Sequence, residues 1–309
     1  MNVREEKSRN KISLGQDGNA LVNLIICNAI LFVLLKFIFV IYLISDLNIN
    51  AYYKNIFNWF ILPADIGKLG TRPWTLLTYM FTHQGVFHLI ANVFWLWAFG
   101  YILQDLTGNR KLVPIYIYGG LTGGFFYILS YYLFPSLQPS LPTAMFLGAN
   151  TSVMAVAVAT TTVQPDYRIF PMINGGIPLW ILTLVYVIIN FASIQVGDPA
   201  KYIAHIGGAA LGFTFIIQLR KGKDWSEWMN NFFDWASNLF NPDKKFQSKP
   251  VKQEFFYKVK ESSQPYKKRP NVTQKRIDEI LDKINQKGIH FLTDEEKDIL
   301  KRAANGDDL

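Results

Sequence analysis

Three of the four histidines, His83, His88 and His205, stand in or beside long apolar runs. Polar and ionisable side chains are costly inside a membrane, so those found there are functional candidates by default. Asn92 follows His88 by one helical turn, so the two share a face. His205 opens "AHIGGAALGF" (204–213), where Gly208 and Gly212 form a G-x-x-x-G face for close helix approach. A third group, Asn150, Thr151 and Ser152, stands at the head of "GANTSVMAVAVA" (148–159). An imidazole can take a proton, a hydroxyl can attack a carbonyl, and a carboxamide can hold an anion. Two plainer roles compete: hydrogen bonds between packed helices, and an N-cap made by the polar cluster.

These residues need helices to position them, and the sequence supplies apolar ones. Half of the 309 residues are hydrophobic and only 17% are charged. That average joins two unlike parts. The chain from about 20 to 219 is a series of long apolar runs, and charge concentrates after it. Runs of about 20 apolar residues predict membrane-spanning helices. Six are expected, at about 20–44, 85–104, 113–134, 148–163, 177–196 and 202–219. The fourth and sixth are short and rich in small residues, so they are expected to be enclosed by the others. The fold class is all-α and polytopic. The first run is too long for the apolar core of a cleavable signal, so it is expected to stay as a span.

Lys and Arg mark the orientation. Arg4, Lys7, Arg9 and Lys11 precede span one, Arg110 and Lys111 follow span two, Arg168 follows span four, and Arg220, Lys221 and Lys223 follow span six. The segment 135–148 on the other side has no charge. The bias predicts that both termini are cytoplasmic. The net charge of +8 therefore flanks membrane spans and does not indicate nucleic-acid binding. A transporter or channel would need a polar path across several spans, and apart from Lys36 they carry almost none.

The remaining segments have simpler readings. The first 19 residues form a cytoplasmic lead. Within the domain 20–219, the loop 45–84 is long, semi-apolar and rich in aromatic residues such as Trp59 and Trp74, which suits the membrane interface. In 220–240, Trp225, Trp228, Phe232, Trp235 and Leu239 recur at spacings of three and four, predicting an amphipathic interfacial helix. A Pro/Lys/Ser-rich linker follows at 241–270. The segment 271–309 predicts a helical hairpin, with Gly288 ending the first helix and a capping box at Thr293–Glu296 opening the second. His290 lies in its turn without ligand-like neighbours. The single cysteine, Cys27, cannot form an intramolecular disulfide or a cysteine-based metal site and reads as apolar filler. No motif points to a metal or an organic cofactor.

The motifs "HLIANVFWLWAFG" (88–100), Gly148-Ala149-Asn150 with its apolar run, and "AHIGGAALGF", in that order, resemble the rhomboid intramembrane serine proteases. "RPWTLLTYMFTH" (72–83) and the long loop before span two fit as well, and the similarity covers about 60–219. The tail resembles the helical extension of some bacterial members. The resemblance implies cleavage of transmembrane segments by a serine on span four, with a histidine on span six as base and no third acid. Carried over by motif, His205 takes the base position. His88 and Asn92 fall on the oxyanion side, and His83 matches a histidine near the cavity mouth.

One position departs from the pattern. The family motif has serine two residues after the glycine, and this chain has Asn150 there. A carboxamide is a poor nucleophile, because its nitrogen lone pair is delocalised into the carbonyl. Ser152 lies two residues later, rotated by about 200° and displaced by about 3 Å on a helix. That should turn it away from His205. Thr151 is rotated by about 100° and is a hindered alcohol. The expectation is a non-proteolytic rhomboid-like protein of a bacterial-type cytoplasmic membrane, binding transmembrane clients, with Asn150 able to bridge to His205. The alternative is an active serine endopeptidase using Ser152 with His205.

Overall fold

A computed structural model describes residues 19–169, 176–193, 198–239 and 274–305. The basic N-terminal lead and the linker 241–270 fall outside the described residues. The chain divides into two compact units, split after Lys245.

The first unit opens with α1 (Ala20–Ile44), capped by Asn19, whose Oδ1 accepts from the backbone N–H groups of Leu21 and Val22. The expected loop 45–84 is instead folded: α2 (Ile49–Asn55), β1 (Leu62–Pro63), α3 (Ile66–Thr71) and α4 (Thr75–Thr78) succeed one another in it. Trp59 and Trp74 stack there at 5.8 Å, both partly exposed. Next come α5 (Val86–Thr107), α6 (Leu112–Leu133), β2 (Met145–Phe146) and α7 (Asn150–Val163). The unit closes with β3 (Arg168–Ile169), β4 (Ile177–Pro178), α8 (Leu179–Ser193), α9 (Ala200–Arg220) and α10 (Glu227–Leu239).

The six expected spans correspond to α1 and α5 to α9. Four of them, α1, α5, α6 and α9, are long and apolar enough to cross a membrane, while α7 and α8 are shorter apolar helices. A 14-residue helix such as α7 rises about 21 Å, short of the roughly 30 Å of a hydrocarbon core. Its small residues are buried nearly throughout, against α5, α6 and α9. The sixth span, expected to be short, has 21 residues. Pro199, whose fixed φ suits a helix start, opens α9 two residues earlier than hydropathy indicates.

Two glycine seams set the spacing around α7. On α9, a Cβ at Gly208 would come within 2.5 Å of the Thr151 carbonyl oxygen, and one at Gly212 within 2.1 Å of that of Ala155. On α6, a Cβ at Gly119 would meet the Ala155 Cβ at 2.3 Å. The small-residue faces therefore bring backbones into contact on both sides of α7.

The folded loop also fixes the start of α7. β1 pairs antiparallel with β2, Leu62 opposite Phe146 and Pro63 opposite Met145. The buried Tyr79 hydroxyl donates to the Gly120 carbonyl at 2.6 Å and lies 3.2 Å from Thr151 Oγ1. Its own carbonyl accepts from Gly148 N–H at 2.9 Å.

α10 is tied to the turn between α5 and α6. Lys111 pairs with Asp224 and donates to Ser226 Oγ at 2.9 Å. Asn230 donates to the Arg110 carbonyl at 3.1 Å, and Tyr118 to that of Trp225 at 2.9 Å. Burial would raise the Asp224 carboxyl, but the Lys111 and Ser226 hydrogen bonds outweigh it and hold it below its usual range. Trp228, Phe232 and Trp235 are left exposed. On α1, the Lys36 ammonium lies over the rings of Phe32 and Phe39 at 5.7 and 5.3 Å, and Cys27 is free and exposed.

The second unit is a helical hairpin, α11 (Gln274–Lys287) and α12 (Asp294–Asn305). Ile280, Leu292 and Ile299 form its core. Gly288 at φ 86° ends the first helix. Glu296 accepts from the Thr293 N–H at 2.8 Å, and Thr293 Oγ1 from the Glu296 N–H at 3.3 Å, the reciprocal bonds of a capping box. His290 stands in the connecting turn, Ile289–Phe291.

Candidate functional site

The polar cluster at the head of α7 is not a cap. The N-cap residue is Ala149, with no side-chain bond, and Asn150 is already helical. Gly148 sets the approach at φ +103°, a left-handed conformation that suits glycine. A Cβ there would also stand 2.7 Å from His88 Cε1. The glycine therefore lets the imidazole of α5 lie against the start of α7.

The three polar side chains then diverge. Asn150 Nδ2 donates to His88 Nε2 at 3.4 Å, and its carbonyl accepts from the Tyr186 hydroxyl of α8 at 3.3 Å. Thr151 faces α6, where a Cβ at Gly123 would meet its Cβ at 2.6 Å. Ser152 also faces α6: a Cβ at Gly120 would come within 2.6 Å of Ser152 Oγ and 2.3 Å of Met80 Sδ. Ser152 is fully buried and its hydroxyl has no hydrogen-bond partner among the described residues.

His205 is buried on α9. Its Nδ1 donates to the Lys201 carbonyl at 2.5 Å, so Nδ1 carries the proton and a neutral ring leaves its lone pair on Nε2. That Nε2 is also buried without a partner. Ser152 Oγ and His205 Nε2 therefore do not bond one another. Nor does Asn150 bond His205: its bridge runs to α5, through His88, instead of to α9 as expected. Asn92, on α5, donates to the His88 carbonyl at 2.9 Å.

These residues converge on a cavity of about 570 Å³. His88, Asn92, Asn150 and His205 line it, with Ser152, Thr151 and His83 absent from its described wall. His83, expected near the mouth, sits behind His88 with the ring centres 5.1 Å apart. Its Nδ1 donates to the Phe81 carbonyl two residues back, which turns the ring inward ahead of α5. Burial, then the neighbouring His88, pull its pKa down to about 4, against the opposing pull of the Phe81 bond.

Sequence reasoning missed several lining residues, among them Tyr186, Asn190 and Lys201. Asn190 had a readable signal, a carboxamide in an apolar run. Lys201 had another, its place one turn before His205. Among the described residues no group of three or more His, Cys, Asp or Glu could hold a metal ion.

Comparison with known proteins fits this geometry. The rhomboid domain model matches residues 70–222. A family of unknown function (DUF6576) matches 264–305, over the hairpin. RHOMBOID-like protein 12, mitochondrial, of Arabidopsis thaliana is 26% identical over 175 residues, covering 54% of this chain and 52% of that protein. Presenilin-associated rhomboid-like protein, mitochondrial, of Rattus norvegicus is 24% identical over 222 residues, covering 70% and 52%. RHOMBOID-like protein 7 of Arabidopsis thaliana is 28% identical over 158 residues, covering 50% and 46%. The chain spans about half the length of these curated relatives. The mitochondrial designation belongs to the first two of those proteins, and none of the three is bacterial. With apolar helices around a cavity lined by His88, Asn92, Asn150 and His205, and the family match over α5 to α9, residues 70–222 form a rhomboid domain in a multi-pass membrane protein.

Proposed function

We propose that this chain is a non-proteolytic member of the rhomboid family, which holds transmembrane segments of client proteins in its cavity without cutting them. One observation carries the reading. The residue two after Gly148 is Asn150, bonded to His88, and Ser152 turns its hydroxyl to α6. On this reading His205 keeps the base position, and His88 and Asn92 keep the oxyanion side, but a carboxamide stands where the serine hydroxyl would. Hydrogen-bonding capacity built for a reacting carbonyl is left for recognition.

The rest of the proposal concerns placement. All of α1 and α5–α9 cross the bilayer, the short α7 inside a protein surround and the short α8 with an exposed apolar face. Both termini are cytoplasmic, following the Lys/Arg bias, in a bacterial-type cytoplasmic membrane. The exposed aromatic face of α10 lies at the interface on that side, next to Arg110 and Lys111. The hairpin serves docking or regulation.

The alternative, an endopeptidase using Ser152, draws on the free Nε2 of His205, which is poised as a base. It would require α7 to turn by about half a revolution at Ser152. The test uses the purified chain with a serine-directed fluorophosphonate and a model transmembrane substrate. Neither labelling nor cleavage is expected of the wild type, and Asn150→Ser should gain some of both. Robust wild-type cleavage that vanishes in Ser152→Ala would overturn the proposal.

A further inference from the structure

The cavity wall is one-sided in charge. Among its described residues Lys201 alone carries charge, beside the neutral rings of His88 and His205 and the Tyr186 phenol, and there is no Asp or Glu. The helices α7 and α9 both begin at this wall, with Asn150 and Lys201 in their first turns. Helix starts favour negative charge. The wall is therefore complementary to an anion.

Lys201 is held for that role. Its Nζ lies 3.2 Å from Asp198 Oδ2, and Asp198 Oδ1 accepts from the Tyr131 hydroxyl of α6 at 3.1 Å. Asp198 is not part of the described cavity wall. It thus ties the ammonium to α6 from behind and uses one of its three hydrogens. The side chain is 29% exposed, so the head has access to the space it lines. Beside it His205 Nε2, an acceptor in the neutral ring, has no partner among the described residues and leaves the anion to Lys201 and the amides. Asn92 and Asn190 each spend one amide hydrogen, on the His88 and Tyr186 carbonyls, and keep the other. The site offers a cation and spare donors.

Resting on the client-binding proposal, we infer that the cavity selects segments that bring a carboxylate, from Asp or Glu, to its level, with Lys201 as the specificity-determining residue. The carboxylate accepts from the free hydrogens of Lys201 and from the amides. A segment with an uncharged residue at that level leaves the ammonium with Asp198 alone and gains nothing from it.

The test reconstitutes the full chain with single-span model segments that differ at one cavity-level residue, Asp, Asn or Leu. Binding is read by proximity fluorescence in the bilayer. The Asp segment should bind wild type about 10-fold more tightly than the Asn one, the gain of one charge-assisted pair. Lys201→Gln should remove that preference, binding the Asp and Asn segments alike. Lys201→Arg should keep it, which guards against a folding defect in the Gln variant. Equal binding of Asp and Asn segments to wild type would overturn the inference and spare the client-binding proposal, as would a preference that survives in Lys201→Gln. Failure of every segment to bind would sink both.

Discussion

Ser152 Oγ and His205 Nε2 are both buried, and neither has a hydrogen-bond partner among the described residues, so the hydroxyl and imidazole of a rescued dyad do not meet. Helix geometry gives the reason. Gly148 fixes the register at the head of α7, and the position that faces the cavity is Asn150. Two residues on, the side chain has swung to the α6 side, against Gly120.

That arrangement makes Ser152→Ala informative. A buried hydroxyl without a partner costs about 1–3 kcal/mol relative to a satisfied one. Its removal should leave stability unchanged or raise it by up to about 1 kcal/mol, since the methyl group keeps most of the packing. Thermal unfolding in detergent measures this. A loss of more than about 2 kcal/mol would mean that the hydroxyl is bonded in the native state.

The seams of α9 predict a graded response. At Gly212 a Cβ would meet three backbone atoms of Ala155, its oxygen at 2.1 Å, its carbonyl carbon at 2.9 Å and its Cα at 3.0 Å. Backbone cannot swing aside as a side chain can, so α9 must move off α7. Gly212→Ala should cost about 2–3 kcal/mol, and Gly208→Ala, at 2.5 Å from Thr151 oxygen, somewhat less. Denaturant titration of both variants gives the order, and an unchanged midpoint for Gly212→Ala would refute the close seam.

Those seams were legible in the sequence because small residues at a spacing of four have one strong meaning in apolar helices. So was the direction of Ser152, from 100° per residue, and the capping box of the hairpin. The folded loop was not. β1 and β2 are two-residue strands some eighty positions apart, too short to show any period. The short helices α2, α3 and α4 hold four to seven residues each, below the length at which periodicity is readable. The orientation of His83 was not legible, because a motif match gives order along the chain, while a bond to Phe81 decides which way the ring turns. Lys201 was passed over although it stands one turn before His205. Its meaning depends on Asp198 and Tyr131, and the latter is supplied by another helix.

His83 also predicts a pH dependence. Its folded pKa, about 4, lies below the ordinary 6.5 because burial and His88 disfavour the charged ring. The unfolded chain therefore binds more protons between those values, and stability rises with pH across that window. The contribution is complete above pH 6.5 and is lost as pH falls toward 4. His83→Gln cannot titrate, so the wild-type minus variant difference should shrink by about 1–3 kcal/mol from pH 7 to pH 4. A difference that stays flat over that range would show that the ring is not held neutral by the fold.

The attachment of α10 gives a prediction of another kind. Lys111 and Asp224 are largely buried, with side-chain exposures of 13% and 29%. Lys111→Met removes the ammonium that holds the carboxylate down and leaves Asp224 with Ser226 alone, whose N–H and Oγ lie 2.9 and 2.6 Å from Oδ1. The bonds of Asn230 to the Arg110 carbonyl and of Tyr118 to the Trp225 carbonyl remain, so the helix loosens but does not detach. The cost should be local and about 1 kcal/mol, since a partly exposed pair is worth less than a fully buried one. Amide exchange should quicken in α10 by about fivefold and stay unchanged in α7 and α9. Asp224→Asn in the same background should restore part of the protection, because a neutral side chain no longer needs a cation. Equal protection of α10 in wild type and Lys111→Met would show that the aromatic face, and not this ion pair, keeps the helix in place.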